Sequence, residues 1–143
     1  MDAYRRILAA IDLTQDSRAV AGRACDIARA SGGSVHLLHV LQIVPIEPIG
    51  DSLVPVLQLN ENAMTRTRGE ISALASELGL SADAVSVEAG NAKSEILRCA
   101  RRLNSDLIVL GCRERHGLSL LIHRTEDSVL HGAPCDVLAV RVR

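Results

Sequence analysis

Short apolar runs alternate with segments of helical periodicity along the whole chain, and this alternation limits the fold more than any other feature. The clearest run, Asp106-Leu-Ile-Val-Leu-Gly111, is typical of a strand buried on both faces of a sheet. Five such runs are predicted as strands: residues 4–11, 34–41, 83–88, 106–111 and 136–141. Because helical segments separate them, the sequence predicts an α/β fold, with a parallel sheet and helices on both faces.

Four helices are predicted between the strands, and capping residues mark their ends. The first helix begins at Thr14, Asp16 or Ser17, the second at Asn60 or Asn62, the third at Asn91 or Ser94, and the fourth at about Thr125. Gly32 and Gly33 are expected to stop the first helix. The late start of the second helix leaves a proline-rich connection from Gln42 to Leu59. We interpret that connection as a packing or interface surface, with a ligand lid as the alternative.

The composition excludes several classes of function. A chain of 143 residues fits one domain, over residues 1–143. A formal net charge of −1 and a single aromatic residue, Tyr4, argue against nucleic acid as a partner. No apolar run approaches the ~20 residues of a membrane span, and the N-terminus lacks a signal-peptide pattern. We therefore expect a cytoplasmic protein without membrane or nucleic-acid partners.

The cysteines are scattered without a C-x-x-C pair, so we expect reduced and mostly buried thiols. They are Cys25, Cys99, Cys112 and Cys135. His36 and His39 lie on opposite faces of one predicted strand and therefore cannot share a metal ion. We interpret both as hydrogen-bonded structural residues. His39, nearer the carboxyl end of the strand, is the better site candidate, since ligands of open parallel sheets bind beyond the carboxyl ends of the strands.

Several strings, in this order along the chain, resemble the universal stress protein family. They are Ile7-Leu-Ala-Ala-Ile-Asp-Leu13 with Ser17, Leu37-Leu-His-Val40, Gly90 before a helix, Asp106 to Gly111, Gly117-Leu-Ser119, and Val129 to Cys135 leading into Val137-Leu-Ala-Val140. The resemblance covers essentially the whole chain. It implies an open five-stranded parallel sheet in the order 3-2-1-4-5, with helices on both faces. It also implies a homodimer that pairs through the last strand, Asp136 to Arg141.

One branch of that family binds ATP through G-x2-G-x9-G-[S/T] after the fourth strand, where glycines let backbone N–H groups close on phosphates. In this chain Gly111 matches the first glycine, but Glu114 stands at the second. The last pair becomes Arg124-Thr125 or His123-Arg124, depending on the register. Glu114 would place a carboxylate against the phosphates, and its side chain would prevent the close backbone approach that glycine allows. The sequence therefore predicts no tight ATP binding.

The nucleoside end of the family's cleft matches this chain better. Asp12 matches the ribose contact, Val40 matches the residue whose backbone meets adenine, and Gly90 lies near the same cleft. The candidate nucleotide cleft consists of Asp12, Val40, Gly90, Gly111, Arg113, Arg124 and Thr125, with arginines as substitute phosphate ligands. The alternatives are that Asp12 only caps the first helix and that Val40 only belongs to the core.

The resemblance implies a non-enzymatic, homodimeric stress-response protein of the UspA type that acts on an unidentified client protein. No cofactor or metal is expected. The alternative is a regulatory switch that binds ATP or AMP in the same cleft. A hydrolase or nucleotidyl transferase is a third hypothesis, but the sequence offers no paired carboxylates, supported Ser-His arrangement or metal-ligand cluster for it.

Overall fold

A parallel sheet organises the protein, whose computed structural model describes residues 3–42, 53–113 and 125–142. Its strands are β1 (Arg6–Ala10), β2 (Ser34–Gln42), β3 (Val85–Gly90), β4 (Leu107–Arg113) and β5 (Asp136–Val142). All four pairings are parallel, and the strand order is β3-β2-β1-β4-β5. The predicted α/β class, the parallel sheet and the strand order are all confirmed.

Helices cover both faces of this sheet. They are α1 (Ser17–Ser31), α2 (Leu53–Glu77), α3 (Ala92–Arg102) and α4 (Thr125–Gly132), and a 3-10 turn (Ala82–Ala84) precedes β3. On one face, buried residues of α1 and α2 such as Val20 and Ile71 pack on the sheet. On the other face, Ile96 of α3 and Val129 of α4 do so. Aliphatic side chains fill both layers, which lets a chain with one aromatic residue bury a core on each face of the sheet.

The start of α2 corrects one prediction. The helix begins at Leu53 rather than at Asn60 or Asn62, so the connection after β2 is shorter than the predicted stretch from Gln42 to Leu59. Pro55 is the third residue of α2, where a backbone N–H has no partner within the helix, so a proline is tolerated there. Residues 43–52 lie outside the described residues. The choice between a packing or interface surface and a ligand lid for this connection therefore stays a prediction.

The end of β4 corrects a second prediction, that this strand ends at Gly111. The strand continues past Gly111 to Arg113, because β5 continues the ladder and Gly111 pairs with Val140. A Cβ atom at position 111 would stand 3.2 Å from Cγ2 of Val20 on α1. Gly111 therefore allows α1 to approach the sheet closely, a packing role that the sequence did not reveal.

The predicted helix caps are confirmed at two of the ends. The side chain of Asn91 accepts a hydrogen bond from the backbone N–H of Ser94, at 3.0 Å, and so caps α3. Gly32 follows α1 with a φ of 70°, the left-handed conformation that glycine adopts readily. Asp16 occupies the N-cap position of α1 but makes no side-chain capping bond.

His36 is hydrogen-bonded within the sheet, as predicted. Its Nε2 lies 2.7 Å from Oγ of Ser86 on β3. Burial, and after it the nearby positive charge of Arg102, lower the pKa of His36 below its ordinary value of 6.5.

This lowered pKa predicts acid sensitivity. Below pH 6.5 the unfolded chain binds a proton at His36 more readily than the folded chain, so stability falls as the pH drops from 6.5 toward the folded-state pKa. Above pH 6.5 this contribution is fully present. We expect His36→Gln, which keeps a polar group near Ser86 but does not titrate, to flatten the pH dependence of urea midpoints between pH 7 and 5. An unchanged slope in the variant would contradict this role.

Candidate functional site at the carboxyl ends of the central strands

A cleft of about 370 Å³ opens at the carboxyl ends of β1, β2 and β4. This is the point of the sheet where the connections after β1 and β4 leave toward opposite faces, the usual place for a ligand in an open α/β sheet. Its volume lies within the range of small-molecule pockets. Its lining is Ala10, Ile11, Asp12, Asp16, Val20, Leu38, His39, Val40, Gln42, Ala92, Ile96, Leu110, Gly111 and Val142.

Asp12 lines the cleft and also organises the entry into α1. Its Oδ1 accepts hydrogen bonds from the backbone N–H of Thr14 at 3.1 Å, from the Thr14 hydroxyl at 2.8 Å and from the Ser17 hydroxyl at 3.3 Å. Leu13, which lies between Asp12 and Thr14, adopts a φ of 58°, so the chain turns sharply beside the cleft. Asp12 therefore stabilises the entry into α1, which was the alternative prediction, and it also lines the cleft.

His39 lines the same wall and is tied to the end of β1. Its Nδ1 lies 2.7 Å from the carbonyl oxygen of Ile11, while the backbone N–H of Ile11 donates to the carbonyl of Leu38 at 2.9 Å. These two contacts extend the pairing of β1 with β2 by one residue beyond Ala10. His39 is thus hydrogen-bonded, as predicted, and stands next to the residue that leads into Asp12.

The structure brings together three of the candidate residues predicted from the sequence. Asp12, Val40 and Gly111 share the cleft lining. Gly90 lies beside it rather than in it: it pairs with Gln42 at the end of β3, and its φ of 146° favours glycine. A Cβ atom there would make only an ordinary contact of 3.4 Å with the Glu95 side chain, so the backbone conformation is the structural reason for glycine at this position.

The phosphate end of the predicted cleft is described only at its borders. Arg113 closes β4 and Thr125 opens α4. Arg124 lies outside the described residues, as do Glu114 and His123, so both registers of the glycine motif remain predictions.

The described lining carries negative rather than positive charge. Asp12 and Asp16 contribute carboxylates, whereas no lysine or arginine belongs to the part of the lining that the structure describes. Sequence reasoning did not single out Asp16 or Gln42 as cleft residues. For Asp16 the signal in the sequence is its position just before α1, which indicates helix capping.

Other chemistry-bearing groups lie apart from the cleft lining. Cys25 and Cys99 are buried and Cys135 partly so, and burial raises the pKa of all three thiols. Cys112 is partly buried as well, so all four cysteines are buried or partly buried, which fits the prediction of mostly buried thiols. The described parts of the chain hold no group of three or more His, Cys, Asp or Glu side chains placed to bind a metal ion. Within the same residues, no helix has the length and apolar character that a membrane span requires.

Comparison with known proteins gives one consistent family. The sequence model of the universal stress protein family matches residues 3–141. Universal stress protein A homolog 2 of Coxiella burnetii is 32% identical over 144 residues, which cover 100% of this chain and 99% of the relative.

Solved structures agree with this match. UspA from Lactobacillus plantarum superposes with a TM-score of 0.77 at 24% identity, covering 96% of this chain and 98% of that one. A universal stress protein structure from Pseudomonas aeruginosa gives a TM-score of 0.73 at 26% identity and covers 97% of this chain, which spans only 48% of that longer chain. A universal stress protein solved in complex with cAMP shares the fold, with a TM-score of 0.64 at 18% identity over 97% of this chain and 98% of that one.

Proposed function

The chain belongs to the universal stress protein family, and we propose that it is a cytoplasmic, non-enzymatic stress-response protein of the UspA type that acts as a homodimer and does not bind ATP tightly. The departure from the family's glycine motif carries this proposal: Glu114 stands at the second glycine position, and Arg124 or His123 stands at the third. Side chains there replace the close backbone approach on which a phosphate site depends, and the Glu114 carboxylate would oppose the phosphates by its charge. The described cleft lining supports the proposal, because it contains the carboxylates of Asp12 and Asp16 and neither lysine nor arginine.

The polar groups of the cleft also support a non-enzymatic role. Its described lining contains no serine, threonine, cysteine or lysine that could act as a nucleophile. The Nδ1 of His39, the one imidazole in that lining, is already bonded to the carbonyl of Ile11. Binding, rather than bond cleavage, is the chemistry that these groups favour.

The position of β5 supports the proposed homodimer. This strand lies at one edge of the sheet, and β4 is its only partner strand among the described residues. An edge strand presents backbone groups with which a second copy can pair. We expect a dimer in sedimentation equilibrium, and a monomer at all concentrations tested would contradict it.

Equilibrium dialysis with magnesium and ATP tests the central part of this proposal. We expect no binding at micromolar ATP and no release of inorganic phosphate above that of a buffer control. Micromolar ATP binding would contradict the proposal, and so would steady hydrolysis that follows the protein through gel filtration.

A second candidate, a regulatory switch that responds to ATP or AMP, is favoured by the cleft itself. The cleft holds Asp12 and Val40, the residues that match the family's ribose and adenine contacts, and one structural relative was solved with cAMP. Thermal shift with ATP, ADP, AMP and cAMP tests this candidate. We expect Asp12→Ala and Arg124→Ala to abolish any shift, whereas Asp12→Asn, which keeps an oxygen near Thr14, controls for damage to the helix entry. No shift with any nucleotide would exclude this candidate.

A further inference from the structure

We infer that Nε2 of His39 is a hydrogen-bond acceptor of the cleft that recognises a neutral donor on the ligand, either a ribose hydroxyl or the exocyclic amine of adenine. This inference rests on the second candidate function, nucleotide binding in the cleft. It assigns to His39 a recognition role in addition to its structural contact.

The contact with Ile11 fixes the proton on the ring of His39. A backbone carbonyl oxygen can only accept a hydrogen bond, so Nδ1, at 2.7 Å from the Ile11 oxygen, must carry the hydrogen. In the neutral imidazole the other nitrogen, Nε2, then has a free lone pair and acts as an acceptor. The same contact holds the plane of the ring, because Ile11 is itself anchored to β2 through its bond to the Leu38 carbonyl.

The surroundings leave this acceptor to a ligand. His39 is half-buried and belongs to the cleft lining. The contact with Ile11 is the one hydrogen bond of its side chain within the described parts of the chain. The lining residues on the same face of the sheet as His39, Ile11 and Val20, carry aliphatic side chains and offer no competing donor. A partly buried acceptor in an apolar wall binds a ligand donor more favourably than one in open water, because less hydration is displaced.

Two isosteric variants separate recognition from structure. In His39→Asn the side-chain N–H can replace Nδ1 and keep the bond to Ile11, while the acceptor at the Nε2 position is lost. In His39→Gln the longer side chain places a polar group near the Nε2 position. The bond to the carbonyl is lost instead. A purely structural His39 would make His39→Asn resemble the wild type in every assay.

Calorimetric titration of the full chain with AMP is the test, with 2′-deoxy-AMP, 3′-deoxy-AMP and purine riboside 5′-monophosphate as analogues that each lack one donor. We expect His39→Asn to weaken AMP binding about tenfold with an unchanged melting temperature, as for the loss of one hydrogen bond. The analogue that lacks the recognised donor should bind the wild type about tenfold more weakly than AMP, and should lose nothing further in His39→Asn. Which analogue behaves in this way identifies hydroxyl or amine.

Three outcomes would overturn the inference. If His39→Asn binds AMP as the wild type does, the acceptor role fails while nucleotide binding stands. If the wild type binds none of the four nucleotides, both this inference and the second candidate function fail. If His39→Asn melts at a lower temperature, His39→Gln becomes the deciding variant, and weaker AMP binding by His39→Gln in its folded range would count against an acceptor at Nε2.

Discussion

Replacing Gly33 with alanine is expected to destabilise the protein by about 3 kcal/mol, at the upper end of the usual cost of overpacking. A Cβ atom at this position would stand 2.3 Å from the carbonyl oxygen of Tyr4 and 3.0 Å from Cα of Arg5. These are backbone atoms of the segment that enters β1, the central strand of the sheet. The two segments cannot move apart cheaply, because the N–H of Ser34 donates to the carbonyl of Arg5 at 2.9 Å.

Urea unfolding of Gly33→Ala and of a matched control tests this expectation. Gly22 lies inside α1, and a Cβ atom there meets no heavy atom within 4 Å. We therefore expect Gly22→Ala to stabilise the protein by about 0.5–1 kcal/mol, since alanine is the better helix former. Equal effects of the two substitutions would show that close backbone contact at Gly33 is not what requires glycine there.

This pair of glycines also shows what sequence could predict and what it could not. Gly33 was recognised as part of a helix stop, which is a local property of the chain. Its contact with Tyr4 depends on how closely the start of β2 lies beside the start of β1, and only the folded chain gives that distance. The two helical layers were predictable from hydrophobic periodicity over many residues, and the strand order from the family resemblance.

The errors in the predicted elements have local causes. Pro55 made residues before Asn60 look like a connection, although the first turn of a helix accepts a proline. Gly111 looked like the end of a strand, although its pairing with Val140 carries β4 onward. In both cases a residue that usually interrupts regular structure stood at one of the positions where regular structure tolerates it.

The candidate site was predictable in part from the family resemblance. Asp12, Val40 and Gly111 follow from matching strings at strand ends, and the sheet brings those ends together. The bond between His39 and the Ile11 carbonyl could not be predicted, because it depends on the register of two strands 28 residues apart in sequence. That bond is what determines which nitrogen of His39 is left for a ligand.

Replacing Ile108 with alanine is the second change with a large expected effect, a loss of about 4 kcal/mol. Ile108 is fully buried on β4, where it pairs with Leu8 of β1 and Val137 of β5. It belongs to the core layer beneath α3 and α4, so removing its side chain leaves a cavity that the three strands cannot close without breaking their pairing. A loss of this size should lower the melting temperature by roughly 12 °C in a chain of this length.

Leu130 of α4 provides the control for that substitution, because it is an aliphatic residue of the same layer's helix but is 58% exposed. We expect Leu130→Ala to change the free energy of unfolding by less than about 0.5 kcal/mol, as for an ordinary surface position. Calorimetric melting of both variants measures the difference. If Ile108→Ala cost as little as Leu130→Ala, the face of the sheet under α3 and α4 would not be a close-packed core. The wall of the cleft that Ile96 and Leu110 form would then lack rigid support.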